Sequence, residues 1–175
     1  MLLDNKTQGK VGDVLAERIQ KDAQLSIISG LFSIYGFAAM KKELARIGGL
    51  RLLLPLDGPV QQLSLHMPAL AGTEADRRFR NALNLTQMAR ECALWLGQKA
   101  EVRGVTLSVP QNLFHVTNPN GDAVAIHGSS TFTSAGLGFA PSARYEMNAC
   151  STTATETASL RSEEHTSELQ SRQSI

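Results

Sequence analysis

The stretch from Ala23 to Leu56, "AQLSIISGLFSIYGFAAMKKELARIGGLRLLLPL", decides the fold class. Its first part is apolar and rich in β-branched residues, which predicts a buried strand at about residues 24–33. The charges of "YGFAAMKKELARI" group on one side and two glycines follow, which predicts a helix with a glycine stop. "LRLLLPL" predicts a second buried strand. A strand, a helix and a strand in this order indicate a right-handed crossover, a parallel pair and an α/β fold.

The flanking sequence adds two helices and a long loop. Apolar residues at helical spacing predict an amphipathic helix at about residues 8–21. Three prolines and two glycines in residues 55–72 predict a loop of a length that is often functional. The longest predicted helix covers about residues 74–99, and its apolar stripe is typical of a core-facing helix. That stripe consists of Leu85, Met88, Cys92, Trp95 and Leu96.

The second half of the chain contains strand candidates. "EVRGVTLSV" predicts one strand, and "NLFHVTN" and "DAVAIHGSS" predict two strands joined by a turn at Pro119, Asn120 and Gly121. A last strand is predicted within "YEMNACST". The expected architecture is therefore a mixed sheet flanked by helices.

Composition bounds the class of protein. The 175 residues are 42% hydrophobic and 19% charged, which suits one soluble α/β domain with a real core. No apolar run approaches the ~20 residues of a membrane span, and no secretory signal is visible, so we expect a cytoplasmic protein without membrane contact. Cys92 and Cys150 are expected to be buried thiols. The net charge of +1 does not by itself indicate nucleic-acid binding.

The end of the chain changes character. "RSEEHTSELQS", from Arg161 to Ser171, resembles one reading frame of a common sequencing-library adapter. We therefore interpret residues 161–175 as an artefactual or disordered tail that packs against nothing, and residues 1–158 as the domain. The alternative is a genuine acidic helix with Glu163, Glu164 and Glu168 near one face. On the first interpretation the natural protein continues past residue 160.

A resemblance to a known family rests on "AIHGSSTFTSAGLGF" followed by "YEMN". These segments resemble the second half of the phospholipase D-type motif, which carries His-x-Lys, an acidic residue, Gly-Ser-x-Asn and a downstream Glu. "MLLDNKTQGKVGDVL", "LSIISGLFSIYGFAAMKKEL" and "ECALWLGQKAEVRGV" look like the N-terminal phospholipase D-like domain of bacterial Swi/Snf-type helicases. The resemblance implies a phospholipase D-like mixed sheet with one half-site.

The resemblance also implies a reaction that needs no metal or other cofactor. A neutral histidine attacks phosphorus to form a phosphohistidine, and a second histidine protonates the leaving oxygen. Lysine and asparagine stabilise the non-bridging oxygens. Active sites of this family combine two half-sites, so a homodimer could complete the one present here.

The site residues that the resemblance implies are of two kinds. The catalytic set is His115, Asp122 and Glu146, and the phosphate-binding set is Gly128, Ser129, Ser130 and Thr131. Thr117 stands where the pattern has lysine, and Thr131 stands where it has asparagine. Two alignments remain open. In the first, His115 is the nucleophile; in the second, the whole His-x-Lys segment is deleted and His115 is a later, non-catalytic histidine.

Three hypotheses for the function follow. The first is a metal-independent phosphodiesterase or nuclease domain of a helicase-type protein whose motor domains lie beyond residue 160. The second is a non-catalytic module that binds DNA or RNA and targets the motor. The third is a dimerisation domain. No GK[ST] phosphate loop occurs, so this segment alone should not hydrolyse ATP.

Overall fold

The computed structural model describes residues 1–55, 85–105, 111–153 and 156–159. In these ranges seven strands form one open mixed sheet in the order β1-β7-β6-β5-β2-β3-β4. The strands are β1 (Leu2–Leu3), β2 (Gln24–Ile28), β3 (Gly49–Pro55), β4 (Ala100–Val105), β5 (Asn112–Thr117), β6 (Ala123–Gly128) and β7 (Asn148–Ser151). The helices are α1 (Val11–Arg18), α2 (Ile34–Ala39), α3 (Lys41–Arg46) and α4 (Leu85–Lys99).

The central strand–helix–strand unit is confirmed, with two local differences. β2 and β3 pair in parallel, as the crossover predicts. β2 ends at Ile28 rather than near residue 33, because the Ser29 hydroxyl bonds to the Leu31 carbonyl and to the Phe132 amide, which turns the chain out of the sheet. The predicted helix is divided at Met40, whose φ of −109° and ψ of 17° separate α2 from α3.

The core lies on one face of the sheet. Its central row crosses five strands and consists of Leu52, Ile27, Phe114, Ile126 and Cys150. All five are buried in one apolar cluster, to which each of the four helices also contributes. Each large side chain in such a row stabilises the fold by about 1.5–3 kcal/mol relative to its exposed state. This apolar row therefore joins five of the seven strands in one layer.

Helix α4 confirms part of the long predicted helix. Residues 74–84 and the predicted loop after Pro55 lie outside the described residues. Cys92 is buried, Trp95 and Leu96 pack against the core, and the Trp95 indole donates to the Leu44 carbonyl at 3.2 Å. Both cysteines are buried free thiols, and burial raises the pKa of Cys92 to about 12.

The predicted hairpin is also confirmed. β5 and β6 pair antiparallel, with Phe114 opposite Ile126 and His115 opposite Ala125. Asn118 fixes the turn to the end of α1, since its amide bonds to the Arg18 carbonyl at 2.9 Å and the Gln20 amide at 3.1 Å. β7 begins at Asn148, so Glu146 precedes the strand.

Two further expectations concern the ends of the chain and the membrane. The tail at residues 161–175 lies outside the described residues, so its packing stays a prediction. None of the helices within the described ranges has the length and apolar character that crossing a membrane requires.

Candidate functional site

The end of β6 meets the segment before β7 through Ser129 and Glu146. The Ser129 hydroxyl donates to Oε2 of Glu146 at 2.5 Å and accepts from the Met147 amide at 2.9 Å. Gly128 permits this approach: its φ is +153°, and a Cβ there would lie 2.3 Å from the Met147 carbonyl oxygen. The close backbone contact therefore requires glycine. Ser129 is exposed, whereas Glu146 is only 7% exposed.

Ser130 is fully buried and bound by two asparagines. Its amide donates to Oδ1 of Asn148 at 3.0 Å, and its hydroxyl accepts from Nδ2 of Asn148 at 2.9 Å and from Nδ2 of Asn5 at 3.1 Å. Asn148 also donates to the Leu3 carbonyl at 3.2 Å. The two serines and Glu146 thus lie close together, but Ser130 is inside the protein and serves to join β1, β6 and β7.

Thr131 begins a tightly folded loop. Its hydroxyl lies 3.4 Å from that of Thr133, which accepts the Gly136 amide at 2.9 Å. Asn5 donates to the Gly136 carbonyl at 2.6 Å, so the loop is fixed to the N-terminal segment. Thr131 is half-buried and follows the serines directly, at the edge of the same cluster.

His115 and Asp122 lie away from this cluster. His115 is buried in the middle of β5, opposite Ala125, which is four residues before Ser129, or about 13 Å along the strand. Asp122 is exposed in the turn at the other end of the hairpin, where it accepts from the Asn120 amide at 2.6 Å. The antiparallel register imposes these separations. The structure therefore brings together Gly128, Ser129, Ser130, Thr131 and Glu146, and it does not bring His115 or Asp122 to them.

A cavity of about 400 Å³ opens beside Glu146. Its walls are the N-terminal segment from Asp4 to Lys6, parts of the loop 135–144, and Glu146. Lys6 and Arg144 are both exposed and supply two cationic groups to the wall. This volume is within the about 300–1,000 Å³ that is common for ligand pockets.

Asp4 shapes the N-terminal wall of the cavity. Its Oδ1 accepts the amides of Lys6, Thr7 and Gln8 at 2.8, 2.9 and 2.8 Å, and Oδ2 accepts the Thr7 hydroxyl at 2.8 Å. These bonds, with those from Gln8 and Lys6 the strongest, lower the pKa of Asp4 to about 2. Asp4 is therefore an ionised structural group at neutral pH, and it holds the loop that carries Lys6.

Sequence reasoning missed five of these residues: Asp4, Asn5, Lys6, Arg144 and Asn148. Asn148 is part of the quoted "YEMN", and Lys6 is part of the quoted N-terminal stretch, so both were within segments that carry the resemblance. The contacts of Asn5 with Ser130 and of Asn148 with Leu3 join residues more than a hundred positions apart. No periodicity or local motif predicts such a pair.

Two exposed cationic side chains, Lys6 and Arg144, and two carboxylates, Asp4 and Glu146, line one cavity, and the Ser129 hydroxyl bonds to the second carboxylate. Across the part of the chain that the structure describes, no group of three or more His, Cys, Asp or Glu side chains could hold a metal ion.

A scan against models of known protein families finds no match, and a search of the curated proteins finds no significant similarity.

Proposed function

We propose that this domain is a phospholipase D-like module that binds the phosphodiester backbone of nucleic acid without cleaving it. The observation that carries the proposal is the cavity in which Lys6 and Arg144 lie beside the Ser129–Glu146 pair. The motif resemblance of residues 125–139 and 145–148 supports the family, and the mixed sheet is compatible with it.

The two cations support phosphate as the ligand. Neither Lys6 nor Arg144 forms an ion pair with any residue in the described ranges, so both charges are available. Arginine binds phosphate through two parallel N–H donors, and lysine acts as a point charge. Such contacts position a nucleic-acid backbone irrespective of its sequence.

The position of His115 favours binding over cleavage. A nucleophile must lie within hydrogen-bond reach of the group that it attacks, which is about 3 Å. His115 is about 13 Å along the strand from Ser129, and Thr117 and Thr131 replace the expected lysine and asparagine. This arrangement agrees with the alignment in which the catalytic histidine is deleted. In the helicase-type context that the resemblance implies, the module would deliver the motor to DNA or RNA.

Fluorescence anisotropy with labelled 20-nucleotide DNA and RNA strands tests the binding. We expect Arg144→Ala and Lys6→Ala each to weaken binding several-fold and to reduce the salt dependence by about one counterion, because each removes one phosphate contact. Lys42→Ala, which removes an exposed lysine on α3 outside the cavity, is the matched control and should leave binding unchanged. Equal effects of all three substitutions would contradict a localised site.

A hydrolysis assay separates binding from catalysis. With bis-p-nitrophenyl phosphate and with the same oligonucleotides, we expect no turnover above background, in the presence or absence of EDTA. Turnover that rises with the square of protein concentration and is lost in His115→Ala would instead support the phosphodiesterase, with its site completed by a homodimer.

A further inference from the structure

Within the described residues, only one of the two carboxylate oxygens of Glu146 accepts a hydrogen bond. Oε2 accepts the Ser129 hydroxyl, whereas no residue in the described ranges bonds to Oε1. The side chain is 7% exposed and lines the cavity. A ligand that supplies a donor there gains affinity, because it replaces solvent with a charge-assisted hydrogen bond at a largely buried carboxylate. A ligand with a hydrogen-bond donor beside an anion therefore fits this wall best.

The position of Glu146 relative to the cations restricts that donor. Arg144 is two residues from Glu146, and both line the same cavity with Lys6 and Asp4. Both Asp4 oxygens already accept hydrogen bonds from residues 6–8, so the carboxylate that a ligand can contact is that of Glu146. A free amine would satisfy Oε1 but would be repelled by the two cations. A bare phosphate would satisfy the cations but would be repelled by the carboxylate. A neutral hydroxyl next to a phosphate meets both requirements, because it interposes a donor between the two negative groups.

One exposed aromatic side chain lines the same cavity and a second is adjacent in the chain. Phe139 lines the cavity and is 40% exposed. Tyr145 is not part of the lining, but it is 72% exposed and stands in the chain between Arg144 and Glu146, which are. Proteins that bind single strands combine a cationic groove with aromatic rings on which unpaired bases stack. A paired duplex does not offer its base faces in this way.

Taking the proposed nucleic-acid binding as its basis, we infer that this cavity selects single-stranded RNA and that Oε1 of Glu146 accepts the ribose 2′-hydroxyl. In RNA the carbon that carries this hydroxyl adjoins the one that carries the 3′-phosphate, so the donor and the anion are next to each other. DNA presents a C–H at that position and leaves Oε1 without a partner. The 2′-hydroxyl is the group by which proteins distinguish RNA from DNA.

Four matched ligands of one sequence test the inference with the wild-type chain: single-stranded RNA, its 2′-O-methyl derivative, single-stranded DNA and duplex RNA. We expect RNA to bind about tenfold more tightly than DNA, which corresponds to about 1.4 kcal/mol. The 2′-O-methyl strand lacks the donor and should bind like DNA, and the duplex should bind more weakly than the single strand. Equal affinity for RNA and its 2′-O-methyl derivative would overturn the inference.

The variant Glu146→Gln tests the same contact from the protein side. It keeps the shape of the side chain and removes its charge, so the ratio of RNA to DNA affinity should fall several-fold while DNA binding is kept or improved. An unchanged ratio would overturn the inference while the proposed nucleic-acid binding stands. Failure of all four ligands to bind would contradict both the RNA selection and the proposed nucleic-acid binding. Binding to phosphatidylglycerol vesicles that displaces RNA and DNA equally would also contradict RNA selection, since this lipid shares the hydroxyl–phosphodiester chemistry.

Discussion

The two ends of the β5–β6 hairpin carry similar polar residues and use them differently. At the turn, Asn120 and Asp122 bond to each other across two positions and remain exposed. At the opposite end, Ser129 bonds to Glu146, and Ser130 bonds to Asn148 and Asn5. The first group forms a local turn, and the second joins distant segments around a cavity. Asp122 has the position in the motif that an acidic site residue would have, but it lies in the turn and not beside the serines.

The largest expected difference between the two ends concerns Asn148. Replacing Asn148 with alanine leaves the buried Ser130 amide and the Leu3 carbonyl without their partners. Each unsatisfied group costs about 1–3 kcal/mol, so we expect the free energy of unfolding to fall by about 2–6 kcal/mol. Urea unfolding at constant m-value measures it. Asn120→Ala, at the exposed turn, is the matched control, and an equal loss in both variants would break the comparison.

An intermediate effect is expected at Asp4, whose carboxylate has several backbone donors close to it in sequence. Its pKa in the folded protein is about 2, below the ordinary value of 3.8. The stabilisation is therefore complete above about pH 4 and is lost as the pH falls toward 2, because the unfolded chain takes up the proton first. Thermal unfolding between pH 5 and pH 2 should show a smaller pH dependence in Asp4→Asn than in the wild type.

The control for this titration is Asp122→Asn, which changes an exposed carboxylate whose side-chain partner is the Asn120 amide. It should keep the acid sensitivity of the wild type. If Asp122→Asn removed that sensitivity and Asp4→Asn kept it, the assignment of the acid-labile group to the cavity wall would be wrong.

The smallest expected effect is that of Asp122→Ala. Exposed substitutions away from buried networks usually change stability by less than about 0.5 kcal/mol. Oligonucleotide affinity should also be unchanged, since Asp122 lies at the end of the hairpin opposite Ser129. The same anisotropy titration measures this affinity. A loss comparable to that of Arg144→Ala would show that Asp122 takes part in binding, and it would contradict the assignment of binding to the Ser129 end of the hairpin alone.

The sequence by itself determined the strand–helix–strand unit, the parallel pair of β2 and β3, and the β5–β6 hairpin. These follow from local information: the run of apolar residues in "LSIISGLF", the charges on one side of the next helix, and the turn residues after Asn118. The periodicity of apolar residues and the residue preferences of turns each involve only a few neighbouring residues, so the sequence alone is enough to recognise them. The sequence also marked Gly128, Ser129, Ser130 and Glu146 as one group through the motif resemblance.

The tertiary structure alone decided which residues share the site. The antiparallel register of β5 and β6 puts His115 in mid-strand, although the motif resemblance assigned it to the same site as the serines. The pairing of β1 with β7 brings Asn5 to Ser130, and the cavity joins Lys6 to Arg144. Such contacts depend on which segments, distant in sequence, meet at the edge of the sheet. Because that arrangement is the result of burying the whole core, no local stretch of sequence contains it.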